Sequence, residues 1–364
     1  MTLFHNDQTF SSLSVKIVPI KEGVILKRGC TEIQLRGTQV KNIIEQIFSL
    51  SSQKPRTKDD LLDFFSLEIQ TPVAKLIDQL IERRFLVPHS PPEADSVSLE
   101  DHTDIFYWHF DQTKPEVHDR LSAKSITILG VNYISRQLAI SLEESGFTKI
   151  QIVDEPGLRN LGFFSPAPEI SSSLWPASLP MPVAKEEWET RQDLSSLDCV
   201  IATSDFGVSQ TLREWNMFCV QQNLWFFPMV LSNMIGQIGP LVIPQETACY
   251  ECLLIRQHSQ LSNSNGRQAV DNMAFDAQTV VGFHPSMASI LGNIGAMELT
   301  KFYSQALPLW NMGKLIEVNL LATRMTPRKV LKLPRCLVCS PLQTRSAVTP
   351  DKPLSQFKFS QAQS

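Results

Sequence analysis

The chain has 364 residues, 43% of them hydrophobic and 19% charged, with a formal net charge of -4. That is a normal globular balance, which excludes wholesale disorder, and the slight negative charge gives no general attraction to nucleic-acid backbones or anionic membranes. The length is more than one ordinary core fills and predicts two domains, one small and one larger. Residues 1–10 lack the basic region and apolar core of a secretory signal. The densest apolar stretch, 224–231, is far shorter than the ~20 residues a membrane helix needs. A soluble, cytoplasmic protein is expected, with no nucleic-acid or membrane partner. Seven cysteines in such a chain point to thiols or metal ligands rather than disulfides.

Residues 1–90 read as a domain of their own. Three β-rich runs, 15–20, 23–27 and 31–35, are separated by hairpin-like turns at Lys21-Glu22-Gly23 and Arg28-Gly29-Cys30. Thr38 is placed to cap a helix with Val40, Ile43, Ile44 and Ile47 on one face, and Thr57 a shorter one through Leu61, Leu62 and Phe65. Thr71-Pro72 reads as the start of a third helix, with Val73, Leu76, Ile77, Leu80 and Ile81 along one side. Three strands and three short helices make a winged-helix composition. On the third helix Lys75, Arg83 and Arg84 alternate with Asp78 and Glu82, a mixed face that argues against DNA.

Residues 91–124 read as a linker, rich in Pro and acidic residues at first and then aromatic from 105 to 110. Residues 125–345 change to alternating strands and helices: strands over 126–129, 150–153, 199–202 and 225–231, helices over 134–142 and 210–221. This alternation predicts an α/β domain built on a parallel, doubly wound sheet of Rossmann type. The tail, 346–364, is polar and reads as disordered.

Two constellations carry chemistry. Gly130 opens a turn between the first strand and helix, where a dinucleotide fold sets its glycine loop, but Asn132 and Ser135 stand where the second and third glycines belong. Asp154, 24 residues on, has the place of a ribose-binding acid or is simply a polar residue at a strand end. The second constellation is two C-x-x-C pairs, Cys249/Cys252 and Cys336/Cys339, separated by 83 residues. Each such turn supplies two adjacent corners of a tetrahedron, so four thiolates predict a closed, structural Zn2+ site. Cys30, Cys199 and Cys219 read as turn or core residues.

The segments ITILGVNYISRQLAISLEESGFTKIQIVDEPGLRNL and LDCVIATSDFGVSQTLREWNMFC resemble the ThiF/MoeB adenylating family, of ubiquitin-activating-enzyme type, in which the same two cysteine pairs occur. The resemblance implies that Gly130, Asn132, Asp154 and Asn160 face a nucleotide, with Arg159 on phosphate and Asp205 near the magnesium of ATP/Mg2+. The altered glycine loop, and the absence of any lysine from 161 to 184 before Lys185, lead us to expect the fold retained and the ATP chemistry lost. The front segment VPIKEGVILKRGCTEIQLRGTQVKNIIEQIF resembles the RiPP recognition element, a winged-helix binder of leader peptides. With GFHPSMASILGNIGAMELTKF and a terminal LPRCLVCS, the chain resembles ThiF-like partner proteins of thiazole/oxazole-modified peptide (bacteriocin-type) biosynthesis.

That resemblance implies capture of a ribosomal precursor peptide for a separate YcaO-type cyclodehydratase, and a possible homodimer. The alternative is an adenylating enzyme that activates a peptide carboxylate. An edge strand over 31–35 offers a route for capture. Ile33, Leu35, Leu76 and Leu80 either line the groove or sit in the core, and Gln34, Lys75 and Gln79 face solvent. Gly292, Gly295 and Ala296 suggest close helix packing at an interface, and His284 reads as structural.

Overall fold

The computed structural model describes residues 8–89, 102–165, 170–191, 193–207, 210–259, 281–305, 307 and 312–340. The expected disordered tail and the Pro-rich part of the linker lie outside them. The chain divides into two compact units, Met1–Lys114 and Pro115–Ser364.

In the first unit β1 (Thr9–Ser12), β2 (Lys16–Ile20), β3 (Gly23–Arg28) and β4 (Thr31–Arg36) are followed by α1 (Val40–Gln53), β5 (Arg56–Thr57), α2 (Lys58–Leu62), α3 (Leu67–Glu82), β6 (Leu86–Pro88) and α4 (His102–Trp108). The strands form two antiparallel sheets, β2-β3-β4 and β5-β1-β6. Val24, Leu26, Ile44, Ile47, Leu61, Ile77 and Leu86 are fully buried between sheets and helices, each contributing roughly 1.5–3 kcal/mol by burial. Thr57 caps α2 in a reciprocal pair of bonds with Asp60. Two helix starts differ from expectation. Gln39, not Thr38, precedes α1, without a side-chain cap. α3 begins at Leu67 and carries Pro72 inside it. Pro72 lies near the helix start, so the ring removes only one amide just beyond the turn whose amides lack partners anyway. α4 falls within the segment read as linker; Trp108 is buried in the core, and its indole N–H donates to the Arg84 carbonyl at 3.0 Å.

The second unit runs α5 (Lys114–Ser122), β7 (Ser125–Leu129), α6 (Tyr133–Ser145), β8 (Lys149–Asp154), β9 (Val183–Ala184), α7 (Lys185–Arg191), β10 (Cys199–Ser204), α8 (Gln210–Gln221), β11 (Trp225–Ser232), β12 (Ile235–Ile238), α9 (Tyr250–Ser259), α10 (Pro285–Ser304), β13 (Lys314–Asn319) and β14 (Arg324–Lys329). One eight-stranded sheet has the order β14-β13-β12-β11-β10-β7-β8-β9. From β11 to β9 all neighbours are parallel, whereas β12, β13 and β14 continue from β11 as an antiparallel meander. The sheet is therefore mixed, not parallel throughout. β7, β10 and β11 are apolar runs covered on both faces, as parallel strands require.

The chain leaves β7 towards β8 and β9, then returns to place β10 on the other side of β7. This reversal creates a crevice at the carboxyl ends of β7 and β10, where open α/β sheets bind ligands. α10 lies along α6 and fixes one wall. A Cβ on Gly292 would come within 2.9 Å of the Leu138 amide nitrogen, and one on Gly295 within 2.4 Å of the Met229 side chain. Both glycines thus serve packing inside this unit, and the homodimer expectation rests on the resemblance alone. His284 caps α10, its side chain accepting from the Ser286 amide. Among the described residues no helix is long and apolar enough to cross a membrane.

Candidate nucleotide-type crevice and cysteine cluster

Gly130 ends β7 with φ +101°, a backbone angle that favours glycine. Asn132 follows as the N-cap of α6 and is fully buried. Its Oδ1 accepts the amides of Ile134 and Ser135, both at 3.0 Å. Its Nδ2 donates to the Thr203 carbonyl at 2.9 Å, to Thr203 Oγ1 at 3.0 Å and to the Leu158 carbonyl at 3.2 Å. A helix N-terminus attracts anions through such amides. Here those of Ile134 and Ser135 are taken by a neutral side chain that also ties α6 to β10.

The remaining amide of the turn, that of Tyr133 at the first helical position, donates to Asp205 Oδ2 at 3.1 Å. The same oxygen accepts Asn160 Nδ2 at 2.9 Å, while Oδ1 is buried with no hydrogen-bond partner among the described residues. Burial pushes the Asp205 carboxyl up to about 6, against the bonds from Asn160 and Tyr133 that favour its charge. The anion at this helix end is the chain's own.

The remaining candidates are also occupied. Arg159 grips Asp154 with two bonds, Nε to Oδ1 at 2.5 Å and Nη2 to Oδ2 at 2.7 Å, and lies over the Phe164 ring. The hydrogen bond to Asp154 raises the Arg159 pKa above its ordinary value, so the guanidinium stays charged and neutralises the acid. Lys185, the first lysine after the Arg/Asn segment, pairs with buried Glu155 at 2.8 Å. Glu155 also accepts the Trp215 indole N–H at 2.8 Å. Structure thus brings Gly130, Asn132, Asn160 and Asp205 together, with Asp154 and Arg159 paired alongside. The two cations read in the sequence, Arg159 and Lys185, each have an acid partner. Thr203 and Glu155 went unread in the sequence, because their roles depend on which strand neighbours β7.

The four cysteines of the two C-x-x-C pairs converge beside α8. Cys249, Cys252 and Cys336 are buried and Cys339 partly so. Their Sγ atoms all lie within 4.8 Å of one another, with separations of 3.8 Å (Cys249–Cys252), 3.6 Å (Cys249–Cys336) and 3.5 Å (Cys252–Cys339). A disulfide would need about 2.05 Å. A tetrahedron of thiolates about 2.3 Å from a central ion has edges of roughly 3.8 Å. The donor set therefore fits a metal ion, and four sulfurs would leave it no open position for catalysis. Hydrogen bonds among the thiols hold that of Cys249 above its ordinary range and that of Cys339 below it.

In the first unit, Gly29 (φ +55°) and Cys30 close a two-residue turn in which Arg28 opposes Thr31. Positive φ at the first turn position is the type II′ arrangement. In such a hairpin the closing pair is hydrogen-bonded and the pairs alternate. Thr31, Ile33 and Leu35 therefore bond to β3, and the amides of Glu32, Gln34 and Arg36 point to the other edge, where β4 has no partner strand among the described residues. Ile33 and Leu35 are half-buried, packed on the core, as is Leu76. Leu80 is 2% exposed and belongs to the core. Gln34, Lys75 and Gln79 are exposed.

No family model matches the chain, and no curated protein matches it in sequence. Solved structures match it in fold. E. coli MccB with AMPCPP and MccA has a TM-score of 0.62 at 17% identity, over 91% of this chain and 99% of MccB. A heterocyclase in complex with substrate and cofactor has a TM-score of 0.58 at 16% identity, and the heterocyclase TruD 0.57 at 16%. Each covers 92% of this chain, which spans only 40% and 43% of those two proteins. Over about nine-tenths of its length the chain thus shares the fold of MccB and of part of the heterocyclases.

Proposed function

We propose that this chain is a peptide-capturing partner protein of azol(in)e biosynthesis. It holds the leader of a ribosomal precursor peptide and presents it, in the cytoplasm, to a separate YcaO-type cyclodehydratase. The observation that carries this reading is the filled crevice. In a fold shared with a nucleotide-bearing MccB, Asn132 and Asp205 occupy all three amides of the α6 turn, and Arg159 is committed to Asp154. The unit then serves as scaffold rather than as an adenylating site. The fold shared with part of two heterocyclases supports a place in ring-forming peptide chemistry.

The first unit is read as the winged-helix recognition element. β4 offers outward amides at Glu32, Gln34 and Arg36, and α3 offers Lys75, Leu76 and Gln79 as the opposite wall. An extended leader would add to β4 as a further strand, with main-chain bonds giving affinity and side-chain contacts giving choice. The cysteine quartet is read as a structural Zn2+ site, held by Cys249, Cys252, Cys336 and Cys339. The ion would supply a cross-link between the start of α9 and the segment after β14.

Fluorescence polarisation with a labelled leader peptide from a neighbouring precursor gene tests the reading. Saturable binding to the full chain without nucleotide supports it, and no binding to any such leader sinks it. The second reading, ATP-dependent adenylation of a peptide carboxylate, draws on the near-complete coverage of MccB, whose structure holds AMPCPP and MccA. ATP–pyrophosphate exchange abolished by Asp205→Ala would favour it over the first.

A further inference from the structure

The first cysteine pair is gripped from outside the cluster. Between Cys249 and Cys252 stand only Tyr250 and Glu251, and both are fastened to α8. Arg213 donates from Nε and Nη2 to the two carboxylate oxygens of Glu251, each at 2.8 Å. Glu251 is 8% exposed, so this fork is largely withdrawn from solvent. Almost one turn along α8, Asn216 is fully buried and its Oδ1 accepts the Tyr250 amide at 2.9 Å. α8 itself is anchored: Leu212, Trp215, Phe218 and Cys219 are buried in the core, and Trp215 is bonded to Glu155.

The second pair is turned by bonds within its own segment. The Cys336 amide donates to the Leu333 carbonyl at 3.1 Å, the Ser340 amide to the Cys336 carbonyl at 3.2 Å, and Ser340 Oγ to the Pro334 carbonyl. Bonds that cross between the halves include the Leu333 amide to Cys252 Sγ at 3.4 Å, Arg256 Nε to the Leu331 carbonyl at 2.8 Å and Lys332 Nζ to the Gln245 carbonyl at 2.6 Å.

Resting on the metal reading, we infer that Arg213 and Asn216 are positioning residues for the ion. They fix the orientation of the Cys249 and Cys252 side chains, which with Cys336 and Cys339 would hold the ion. Neither residue touches the metal. Their effect is to lower the ordering cost of binding, as groups around a metal's ligands commonly do. α8 also carries the Trp215–Glu155 bond to the crevice loop, so one helix underlies both sites.

The test is a zinc competition titration of the full-length chain against a chromophoric chelator, with cobalt(II) absorption as a report on the ligand set. Arg213→Met should weaken metal binding about 10- to 100-fold while the four-thiolate cobalt spectrum is retained. Arg213→Lys, with one point charge in place of the fork, should fall between. Asn216→Leu, which removes the acceptor of the Tyr250 amide, should weaken binding. Arg213→Met also leaves Glu251 buried and unpaired, so the double variant Arg213→Met/Glu251→Met guards against mere misfolding. It should recover thermal stability of the metal-free chain but not metal affinity. Affinity within about twofold of the parent in Arg213→Met, or full recovery in the double variant, overturns the inference. If the parent chain takes up no cobalt, the metal reading beneath it falls as well.

Discussion

The crevice at the ends of β7 and β10 and the cysteine cluster beyond α8 lie in one unit and are built on opposite terms. In the crevice, donors and acceptors answer one another: Asn132 with Thr203 and the α6 amides, Arg159 with Asp154, Lys185 with Glu155. In the cluster, four sulfurs converge at 3.5–3.8 Å with no cation of the chain among them. A site for an external ligand leaves its binding groups unmatched until the ligand comes, and a former site can be closed by supplying the match from within. By that criterion the crevice is matched from within at every group named except Asp205 Oδ1, whereas the cluster offers four donors to a cation.

The largest effect expected from this contrast is metal removal. Chelation, or Cys252→Ser, should lower the melting temperature of the second unit by about 10 °C or more, since structural thiolate sites contribute many kcal/mol to folding. Calorimetry with metal analysis checks it; one ion per chain is expected, and an unchanged melting curve would remove the contrast. Next comes Asn132→Ala, which strips the cap from α6 and the bonds to Thr203 at a fully buried position. A loss of about 2–3 kcal/mol is expected in urea unfolding. If ATP then bound tightly, the crevice would count as gated rather than closed.

Asp205→Asn should act in the opposite direction. The folded carboxyl titrates at about 6 against an ordinary 3.8, so the folded state holds the proton more tightly than the unfolded one. Charge on Asp205 costs nothing below pH about 4, costs progressively more as pH rises through 6, and is fully felt above it. The amide should therefore stabilise the second unit at pH 7.5 by up to about 3 kcal/mol and have little effect at pH 4. Denaturation at the two pH values decides; equal effects would show that Asp205 has a partner, such as a bound cation. The smallest effect concerns the other unmatched set, the β4 edge. Gln34→Pro deletes an outward amide without touching the ladder to β3, and should weaken leader binding about tenfold with stability nearly unchanged. Affinity equal to the parent's would move the peptide elsewhere.

Much of this was legible in the sequence. α8 runs from Gln210 to Gln221 as its apolar spacing predicts, and β7, β8, β10 and β11 fall within one or two residues of their β-rich runs. The cysteine pairs stood out because their chemistry is written in local spacing. The antiparallel half of the sheet did not. β14, Arg-Met-Thr-Pro-Arg-Lys, is a charged edge strand with a proline, and β12 is four residues long; neither has a strand's usual apolar alternation. The true start of α3 was hidden because Leu67, 84% exposed, gives no apolar phase. The state of the crevice was out of reach for another reason. That Arg159 turns to Asp154 rather than to an open site is a fact of side-chain pairing, which residue type and spacing leave undetermined.

The type II′ turn at Gly29 sets a parity along β4. Because only Glu32, Gln34 and Arg36 send their amides to the vacant side, a visiting strand meets a docking site every second residue, about 7 Å apart. In the proposed mode of capture its own side chains alternate between the two faces of the extended sheet. The intervening positions of a guest are left almost unread. Recognition of this sort tolerates wide drift in a peptide's sequence so long as its rhythm is kept, and inserting a single residue into the guest should do more harm than replacing several.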